Sequence, residues 1–303
     1  MLRTELHCHN VYSNGHVGDL EPPFDCNVSI SEQLEKSLES KLDVLFVTNH
    51  NTLDGFKQIT EYKNNHEKFS NLEIYPAVEI TTDKEAHVLV YGLHEEIKSN
   101  QTLDEIIDAA KSQDAITIAP HPFSLIDALR DDSLKCDLFE VFNSSNIDIY
   151  SNKKAEIFAK EKNLLTTAGS DSHIASTIGR CTNLIDSQNN LDDVIHAMKK
   201  GKISIEKTEY VTHREVLEHI QYKIENSKEY IDKYIQEFYP KYFWLFNQMY
   251  KSYMFTKKSF MWRAVFKIAL FGLRRISYKI NFEGYDPYAF RTRDIPTMTK
   301  MIF

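Results

Sequence analysis

The chain has 303 residues, of which 42% are hydrophobic and 26% are charged, and this composition predicts a soluble globular protein with one large domain, with or without an appendage. The N-terminus lacks a basic segment that leads into an apolar one, and no run of roughly 18 uncharged apolar residues occurs, which argues against secretion and against a membrane span. The net charge of -8 is divided unevenly, because residues 241–303 contain 12 Lys and Arg but 3 Asp and Glu, whereas residues 1–240 carry a net charge of -17.

Short apolar runs alternate with helical patterns over the first 205 residues. Helices are predicted after the capping boxes that begin at Ser29 and Thr102, and over 53–68, 151–162 and 191–200. The runs typical of strands are TELHCH, DVLFVTNH, LEIYPAVEI, AHVLVYGL, AITIAPHPF, DLFEVFN, LLTTAGSDSH and TNLI. Strands that alternate with helices favour parallel β/α units, and about seven such units predict a closed or nearly closed barrel.

Polar side chains that bind metals stand at the carboxyl ends of these predicted strands. Barrels of this kind carry their sites at that end. Imidazoles and carboxylates at this density suit Zn, Mn or Fe, and a carboxylate can bridge two ions. The residues are His7, His9, His50, Glu79, His121, Asn143, Asp171 and His173, and His87 and His94 bracket the strand after Glu79.

The segment HCH near the N-terminus has a spacing that suits one metal ion. Side chains alternate between the two faces of a strand, so His7 and His9 point to one side and Cys8 points to the other. We therefore expect both imidazoles in the barrel mouth and Cys8 against the helix layer.

Five ordered motifs resemble those of the PHP (polymerase and histidinol phosphatase) family. They are the HxH opening, T-x-H-N-T at 48–52, the strand that carries Glu79, APHPF and GSDSH, and the resemblance covers residues 3–205. It implies an α/β fold, a distorted seven-stranded (β/α)7 barrel with two or three divalent metal ions, and hydrolysis of phosphoesters. Residues 1–205 would then form the hydrolase domain, and residues 206–303 a basic, aromatic-rich helical appendage.

The resemblance also implies a ligand set. His7, His9, Glu79 and Asp171 would hold one ion, and Glu79 would bridge to a second ion bound by His121 and by His87 or His94. His87 is favoured because it matches the commoner family pattern. His50 and His173 would hold a third ion.

Two departures from the family pattern affect the third ion. Asn14 and Asn49 stand where the family usually or often has Asp. A neutral amide is a poorer ligand than a carboxylate, so the third site is either weak through Asn14 or completed by His16.

This arrangement predicts a metal-dependent phosphoesterase that acts on a small phosphorylated metabolite or nucleotide. Two cations that share Glu79 would hold a bridging hydroxide that attacks phosphorus, with Asp171 as a further ligand. His173 or His16 would protonate the leaving group, and Arg180 would either clamp a phosphate oxygen or pair with a surface carboxylate. The alternatives are an amidohydrolase-type metal hydrolase and a non-catalytic, metal-stabilised module that binds nucleic acid or a membrane through its basic tail.

The region 206–303 lies outside the resemblance. A capping box at Thr212 predicts a long helix that runs to Pro240, and the segment 259–280 is amphipathic, with basic residues on one side. This segment would pack on the barrel or on a second copy of the chain, lie on an anionic membrane surface, or contact nucleic acid or a phosphorylated substrate. The remaining histidines, which are His66, His196, His213 and His219, are interpreted as solvated.

The cysteines indicate the compartment. Four widely spaced cysteines without a CxxC pair are typical of free thiols in a reducing environment. We therefore expect a cytoplasmic protein, with a peripheral position at the membrane as the variant that the basic tail suggests.

Overall fold

A computed structural model describes residues 1–18, 21–257, 259–292 and 294–302 of the chain. The described residues form nine strands: β1 (Leu2–Glu5), β2 (Val44–Val47), β3 (Glu73–Thr81), β4 (His87–Tyr91), β5 (Ile116–Ala119), β6 (Leu138–Asn143), β7 (Thr166–Gly169), β8 (Thr182–Ile185) and β9 (Ile203–Lys207). The same residues form eleven α-helices: α1 (Ile30–Glu39), α2 (Asp54–Asn64), α3 (Leu103–Lys111), α4 (Tyr150–Lys162), α5 (Leu191–Lys199), α6 (His213–Asn226), α7 (Lys228–Phe238), α8 (Phe243–Thr256), α9 (Phe260–Phe282), α10 (Tyr288–Arg291) and α11 (Ile295–Ile302).

The strands belong to one sheet in the order β7-β6-β5-β4-β3-β2-β1-β8-β9. The α/β architecture is confirmed, but the prediction of seven parallel strands is wrong for the described residues. β4 runs antiparallel to both of its neighbours, and β8 and β9 form an antiparallel pair at the end of the sheet. Strand β9 was not predicted because this edge strand is half-exposed and lacks an apolar run, and the expected boundary at residue 205 falls inside it.

The two ends of the sheet approach each other through a side chain. The amide of Asn183 in β8 donates to the carbonyl of Ala168 in β7 at 2.8 Å and accepts from the Ala168 N–H at 3.0 Å. A side-chain amide thus satisfies backbone groups that a neighbouring strand would otherwise pair. The sheet is therefore a nearly closed barrel.

Helices α1 and α2 cover the outer surface of this barrel. Leu34 of α1 and Ile59 of α2 are fully buried in one apolar cluster with Leu45 of β2. Cys8 belongs to the same cluster, and the capping box of Ser29 and Glu32 that starts α1 is present. Cys8 thus faces the helix layer, which directs its two neighbouring histidines toward the barrel mouth.

The C-terminal region is helical, but its first predicted helix is interrupted. The capping box of Thr212 and Glu215 starts α6 as expected. The helix then ends before Ser227, and α7 begins after it. Within the described ranges, no helix is long and apolar enough to cross a membrane.

The second half of α9 packs on the barrel. Ser277 donates to the carboxylate of Asp148 at 2.6 Å, Asn281 donates to the carbonyl of Phe123 at 3.3 Å, and Ile276 and Ile280 are buried. This docking is one of the arrangements predicted for the segment 259–280. It anchors the appendage to the loops at one end of the sheet.

Candidate metal centre

The predicted ligands converge at one edge of the sheet. His7 and His9 follow β1, His50 follows β2, and Asp171 follows β7. His87 begins β4 rather than ending it, but β4 is antiparallel, so its first residue pairs with Thr81 at the same edge. The members of the cluster are His7, His9, His50, Glu79, His87, His121, Asp171 and His173. The side chains of Asp171 and His173 are 14% and 11% exposed, and the other six are more deeply buried.

The antiparallel direction of β4 also distinguishes between His87 and His94, the two alternative ligands for the second ion. His87 Nδ1 lies 3.1 Å from Glu79 Oε1. His94 lies beyond the other end of β4, where it is exposed and its N–H donates to Gln113. His87 is therefore at the cluster and His94 is at the opposite edge of the sheet.

One group of ligand atoms surrounds a single oxygen of Glu79. Oε2 of Glu79 lies 3.5 Å from His7 Nε2 and 3.3 Å from His9 Nε2. Both imidazole nitrogens also lie 3.4 Å from Asp171 Oδ1. These four side chains are the set that the sequence predicted for the first ion.

A second group surrounds the other oxygen of Glu79. Oε1 lies 3.1 Å from His87 Nδ1 and 3.1 Å from His121 Nε2. Asp127, which the sequence analysis did not identify, lies 3.3 Å from His121 Nδ1 and 3.9 Å from His87 Nδ1. Glu79 therefore has one oxygen in each group.

A third group contains His50, His173 and a further residue that was not predicted, Asp25. The carboxylate oxygen Oδ2 of Asp25 lies 3.4 Å from His50 Nε2 and 2.6 Å from His173 Nε2. Asp25 is fully buried, and Lys223 of α6 lies 2.6 Å from its other oxygen. A carboxylate is thus present at the third group even though position 14 is an amide.

Side chains behind the cluster fix the orientation of its imidazoles. Glu140 accepts a hydrogen bond from His7 Nδ1 at 3.0 Å, and Ser13 lies 3.1 Å from His9 Nδ1. With the Nδ1 atoms occupied, both Nε2 atoms point into the cluster. Partners of this kind set the tautomer of metal-binding histidines.

Gly169 at the end of β7 allows this arrangement. A Cβ at this position would overlap the carboxylate of Glu140 and would lie 2.6 Å from the Cβ of His7. The hydrogen bond between His7 and Glu140 therefore requires glycine here.

Two cluster residues have backbone conformations that non-glycine residues rarely adopt. His121 has φ of 28° and Asp171 has φ of 50°. Such conformations cost on the order of 1–3 kcal/mol each and concentrate at functional sites. The strain directs these two side chains toward Glu79 and toward the His7 and His9 pair.

Several ring nitrogens at the cluster have no hydrogen-bond partner among the described residues, although they are buried. They are His7 Nε2, His9 Nε2, His50 Nδ1, His87 Nδ1 and His121 Nδ1. Buried polar atoms without partners cost about 1–3 kcal/mol each in a folded protein. Nitrogens that face carboxylates at 3.1–3.5 Å are suited to share a cation with them, so the residues present fit divalent metal ions.

The pKa values show how strongly these groups interact. Burial opposes the ionisation of Glu79, but His87 and His7 hold its pKa well below the usual range. Burial also opposes the charged form of His121, but Asp127 raises the pKa of this residue to about 10. In the metal-free protein the cluster therefore binds protons that a metal ion has to displace.

The side chain of Asn14 is engaged in hydrogen bonds within the protein. Its side-chain oxygen accepts the N–H groups of Asp25 and Cys26, and its amide donates to the Cys26 carbonyl and to the Tyr222 hydroxyl. Three of these bonds position the loop that carries Asp25, and the fourth joins Asn14 to α6. Asn14 thus supports a ligand candidate instead of being one.

His16 is also outside the cluster. It is exposed, and its backbone carbonyl accepts a hydrogen bond from the side-chain amide of Asn51. It belongs to none of the groups of potential ligands among the described residues. The turn after Ser13 places His16 outside the three groups of candidate ligands.

The guanidinium group of Arg180 is paired with carboxylates of the protein. It forms ion pairs with Glu209 and, at 2.6 Å, with Glu215 at the start of α6. Of the two roles predicted for this residue, the structure shows the pairing with carboxylates. The pair ties the barrel to α6.

The interpretation of His219 as a solvated residue is wrong. Its ring stacks on that of His173 with centroids 4.8 Å apart, and its Nε2 lies 2.7 Å from the carbonyl of Asp25. His66 likewise stacks on Tyr62, whereas His196 and His213 are exposed as predicted. Helix α6 thus covers one side of the barrel mouth.

Comparisons with known proteins identify a matching family model and two relatives of similar sequence. Residues 150–203, which include Asp171 and His173, match the family model described as PHP-associated. The protein MJ1587 of Methanocaldococcus jannaschii is 32% identical over 152 residues, which are 48% of this chain and 85% of that protein. MJ0417 of the same organism is 28% identical over 188 residues, which are 59% of this chain and 68% of that protein.

The fold is shared with solved structures, of which PsfC is an example. The crystal structure of PsfC from Pseudomonas syringae PB-5123 aligns with a TM-score of 0.52 at 19% identity and covers 74% of this chain and 98% of that chain. At this identity the likeness concerns the fold alone. The match over 150–203, the relative that aligns over most of its length and the five ordered motifs show that this chain belongs to the PHP family.

Proposed function

We propose that the protein is a metal-dependent phosphoesterase, either a phosphatase or a phosphodiesterase, that acts on a small phosphorylated metabolite or nucleotide. The observation that carries this proposal is the position of Glu79, whose two oxygens lie in two different groups of imidazoles. A carboxylate in this position is suited to be shared by two divalent ions such as Zn, Mn or Fe.

Each group would hold one ion. His7, His9 and Asp171 would bind the first ion with Oε2 of Glu79, and His87 and His121 would bind the second with Oε1. Asp127 is a further candidate for the second ion, and His50, His173 and Asp25 are the candidates for a third. When bound, such ions lower the pKa of water and neutralise the charge that develops on a phosphoryl group.

The side chains around the ions would contribute position and charge. Glu140 and Ser13 hold the imidazoles of His7 and His9 in the orientation that binding requires. Lys223 donates to the Asp25 carboxylate at 2.6 Å and so adds a positive charge beside the third group. These contributions require no serine or cysteine nucleophile.

His173 is the proposed proton donor in a chain that holds only the first two ions. Burial opposes its charged form, but in the chain without metal Asp25 raises the pKa of His173 to about 9. A protonated imidazole at the mouth can donate to the leaving oxygen. In a chain with three ions, His173 would be a ligand instead.

The test is metal analysis of the purified protein combined with hydrolysis assays. We expect at least two transition-metal ions per chain after reconstitution with Mn or Zn. We also expect hydrolysis of p-nitrophenyl phosphate or of bis(p-nitrophenyl) phosphate, with loss of activity on chelation. Fewer than one ion per chain would contradict the proposal. Metal without phosphoester hydrolysis would favour an amidohydrolase-type activity or a metal-stabilised module without catalysis.

A further inference from the structure

A large cavity lies between the C-terminal helices α6, α7, α8 and α9. Its volume is about 1330 Å³, which exceeds the usual range for small-ligand sites. Its walls are mainly aliphatic and aromatic, and they include Leu217, Ile220, Ile224, Ile231, Phe246 and Trp262. A cavity with such walls is suited to a long apolar group.

Helix α6 separates this cavity from the metal centre. Residues three or four positions apart share a face of a helix, so Glu215, His219 and Lys223 lie on one face, which contacts Arg180 and Asp25. Leu217 and Ile224 lie on the other face, which lines the cavity. The same helix thus borders both sites.

Two loops also connect the cavity with the second ligand group. Pro22 lines the cavity, and the adjacent Glu21 lies 3.5 Å from His87 Nε2. Ile126 lines the cavity, and the adjacent Asp127 lies 3.3 Å from His121 Nδ1. Consecutive residues are about 3.8 Å apart, so the cavity begins one residue away from the side chains that contact the imidazoles.

The charge at the cavity wall is positive. Arg214, Arg263 and Lys267 line it and form no ion pair within the described part of the chain, and Lys257 pairs with Glu225. Glu218 is the acidic residue in this wall among those described. The excess of cations attracts a molecule that is anionic as well as apolar.

The two halves of α9 differ in a way that supports this function. Arg274 and Ser277 in its second half donate to Ile147 and Asp148 of the barrel. In its first half, Phe260 is 83% exposed and Ile268 is 71% exposed. The first half is therefore not needed for docking on the barrel, and its Trp262 and Phe266 line the cavity instead.

We propose that the cavity binds the hydrocarbon tail of a phosphorylated amphiphile while its phosphate group reaches the metal centre. This inference rests on the proposed phosphoesterase function and names the class of its substrate. The tail would lie between α6 and α9, and the head group would pass between Pro22 and Ile126 toward His87 and His121. The cationic wall would favour the anionic amphiphile over a neutral one.

Binding can be measured without activity because the chain has two tryptophans, of which Trp262 lines the cavity and Trp244 is 74% exposed. In a Trp244→Phe protein without metal, the fluorescence of Trp262 is followed during titration with dodecyl phosphate and with butyl phosphate. Both compounds are kept at concentrations at which they form no micelles. We expect a saturable change and at least about tenfold tighter binding of the dodecyl compound, since each buried methylene adds affinity. Equal affinities, or no change in emission, would overturn the inference.

Hydrolysis of the same two compounds by the Mn-loaded protein separates this inference from the proposed function. We expect kcat/KM for dodecyl phosphate to exceed that for butyl phosphate by at least about tenfold. Hydrolysis of neither compound, combined with no hydrolysis of p-nitrophenyl phosphate or of bis(p-nitrophenyl) phosphate, would contradict the phosphoesterase function itself. Equal hydrolysis of both would leave that function intact and overturn the inference about the tail.

Substitutions in the cavity provide the final control. The double substitution Ile224→Phe and Ile231→Phe fills the cavity and should lower the ratio of the two kcat/KM values by at least about tenfold. Ile157→Phe, a matched change on an exposed position of α4, should leave the ratio unchanged. If the filled variant does not fold, Arg263→Glu with Lys267→Glu at exposed positions should weaken dodecyl phosphate binding more than dodecanol binding. An unchanged preference in a folded variant that carries the cavity substitutions would overturn the inference.

Discussion

The metal centre and the helical cavity lie on opposite faces of α6 and are built from opposite kinds of side chain. At the centre, polar groups from strand ends are buried and held by partners such as Glu140 and Ser13. In the cavity, helices supply apolar side chains such as Leu217 and Trp262. The sheet fixes the position of each ligand atom, whereas the helices determine the size and polarity of the space beside it. Substitutions at the centre should therefore change metal binding and rate, and substitutions in the cavity should change substrate preference.

The largest expected effect is that of Glu79→Gln. Because Glu79 is the side chain that contacts both of the first two groups, its loss should affect two ions at once. We expect a fall of about 1000-fold or more in kcat/KM, since several kcal/mol of transition-state stabilisation depend on the ions. His7→Ala and His121→Ala should cost less, because each removes a ligand of one group. Equal small losses in the three variants would contradict a shared role for Glu79.

Metal removal should have the next largest effect, and it concerns stability. Buried imidazoles and carboxylates repel their like neighbours when no cation lies between them, so bound metal should stabilise the fold by about 3 kcal/mol at saturating concentration. Thermal unfolding with and without a chelator at pH 7.5 measures this difference. The pKa values of His121 and His173 are raised to about 10 and about 9, so in the metal-free chain each ring has to release a proton at either pH before it can bind metal. This release becomes less favourable as the pH falls, so the difference should shrink at pH 5.5. A pH-independent difference would show that these histidines do not bind the metal.

Glu140→Gln tests the support behind the ligands. The amide has the same shape but can no longer accept from both His7 and the neighbouring N–H groups as a carboxylate does. We expect metal affinity to fall about 10- to 100-fold with the fold intact, as is typical of residues that orient a metal ligand. Metal titration of the variant measures this, with Glu39→Gln on the exposed end of α1 as the matched control. If both variants bind metal equally well, the orientation of His7 does not depend on Glu140.

Much of the candidate site follows from the sequence, because motifs at strand ends have fixed geometry. The HxH spacing and the strand that carries Glu79 place their side chains by the alternation of a strand. Asp25 and Asp127 lie on irregular loops whose position depends on contacts such as those of Asn14 and Ser124, and spacing does not encode those contacts. His219 shows a second reason. A polar helix face that covers a polar site has the same sequence pattern as one that faces water.

The fold shows the same division between regular and irregular parts. Buried strands such as β2 and β6 are recognisable as apolar runs. The half-exposed edge strand β9 is not, and the antiparallel direction of β4 is set by the turn that precedes it rather than by its own residues. The direction of β4 determines that His87, and not His94, lies at the cluster.

Asn14→Asp should have a moderate effect on stability and none on metal content. The Asn14 amide donates to the Cys26 carbonyl at 2.9 Å and to the Tyr222 hydroxyl of α6 at 3.1 Å, and a carboxylate cannot donate. We expect a loss of about 1–3 kcal/mol in the free energy of unfolding. Chemical denaturation and metal analysis test both parts, with His16→Ala as an exposed neighbour that should change neither. A rise in metal content in Asn14→Asp would show that position 14 can still serve as a ligand.

The smallest effect is expected for Cys8→Ser, which tests the register of the segment between His7 and His9. Cys8 is fully buried in the apolar layer with Leu34 and Leu45, on the side away from the metal centre. Burial raises the pKa of its thiol well above the usual range, so the group is a neutral side chain that accepts a hydrogen bond from Gln33 at 3.2 Å. A serine hydroxyl can keep that bond, so we expect a loss of about 1 kcal/mol in the free energy of unfolding and an unchanged number of bound ions. Loss of metal in this variant would mean that Cys8 faces the barrel mouth, which would reverse the assignment of its two neighbouring histidines.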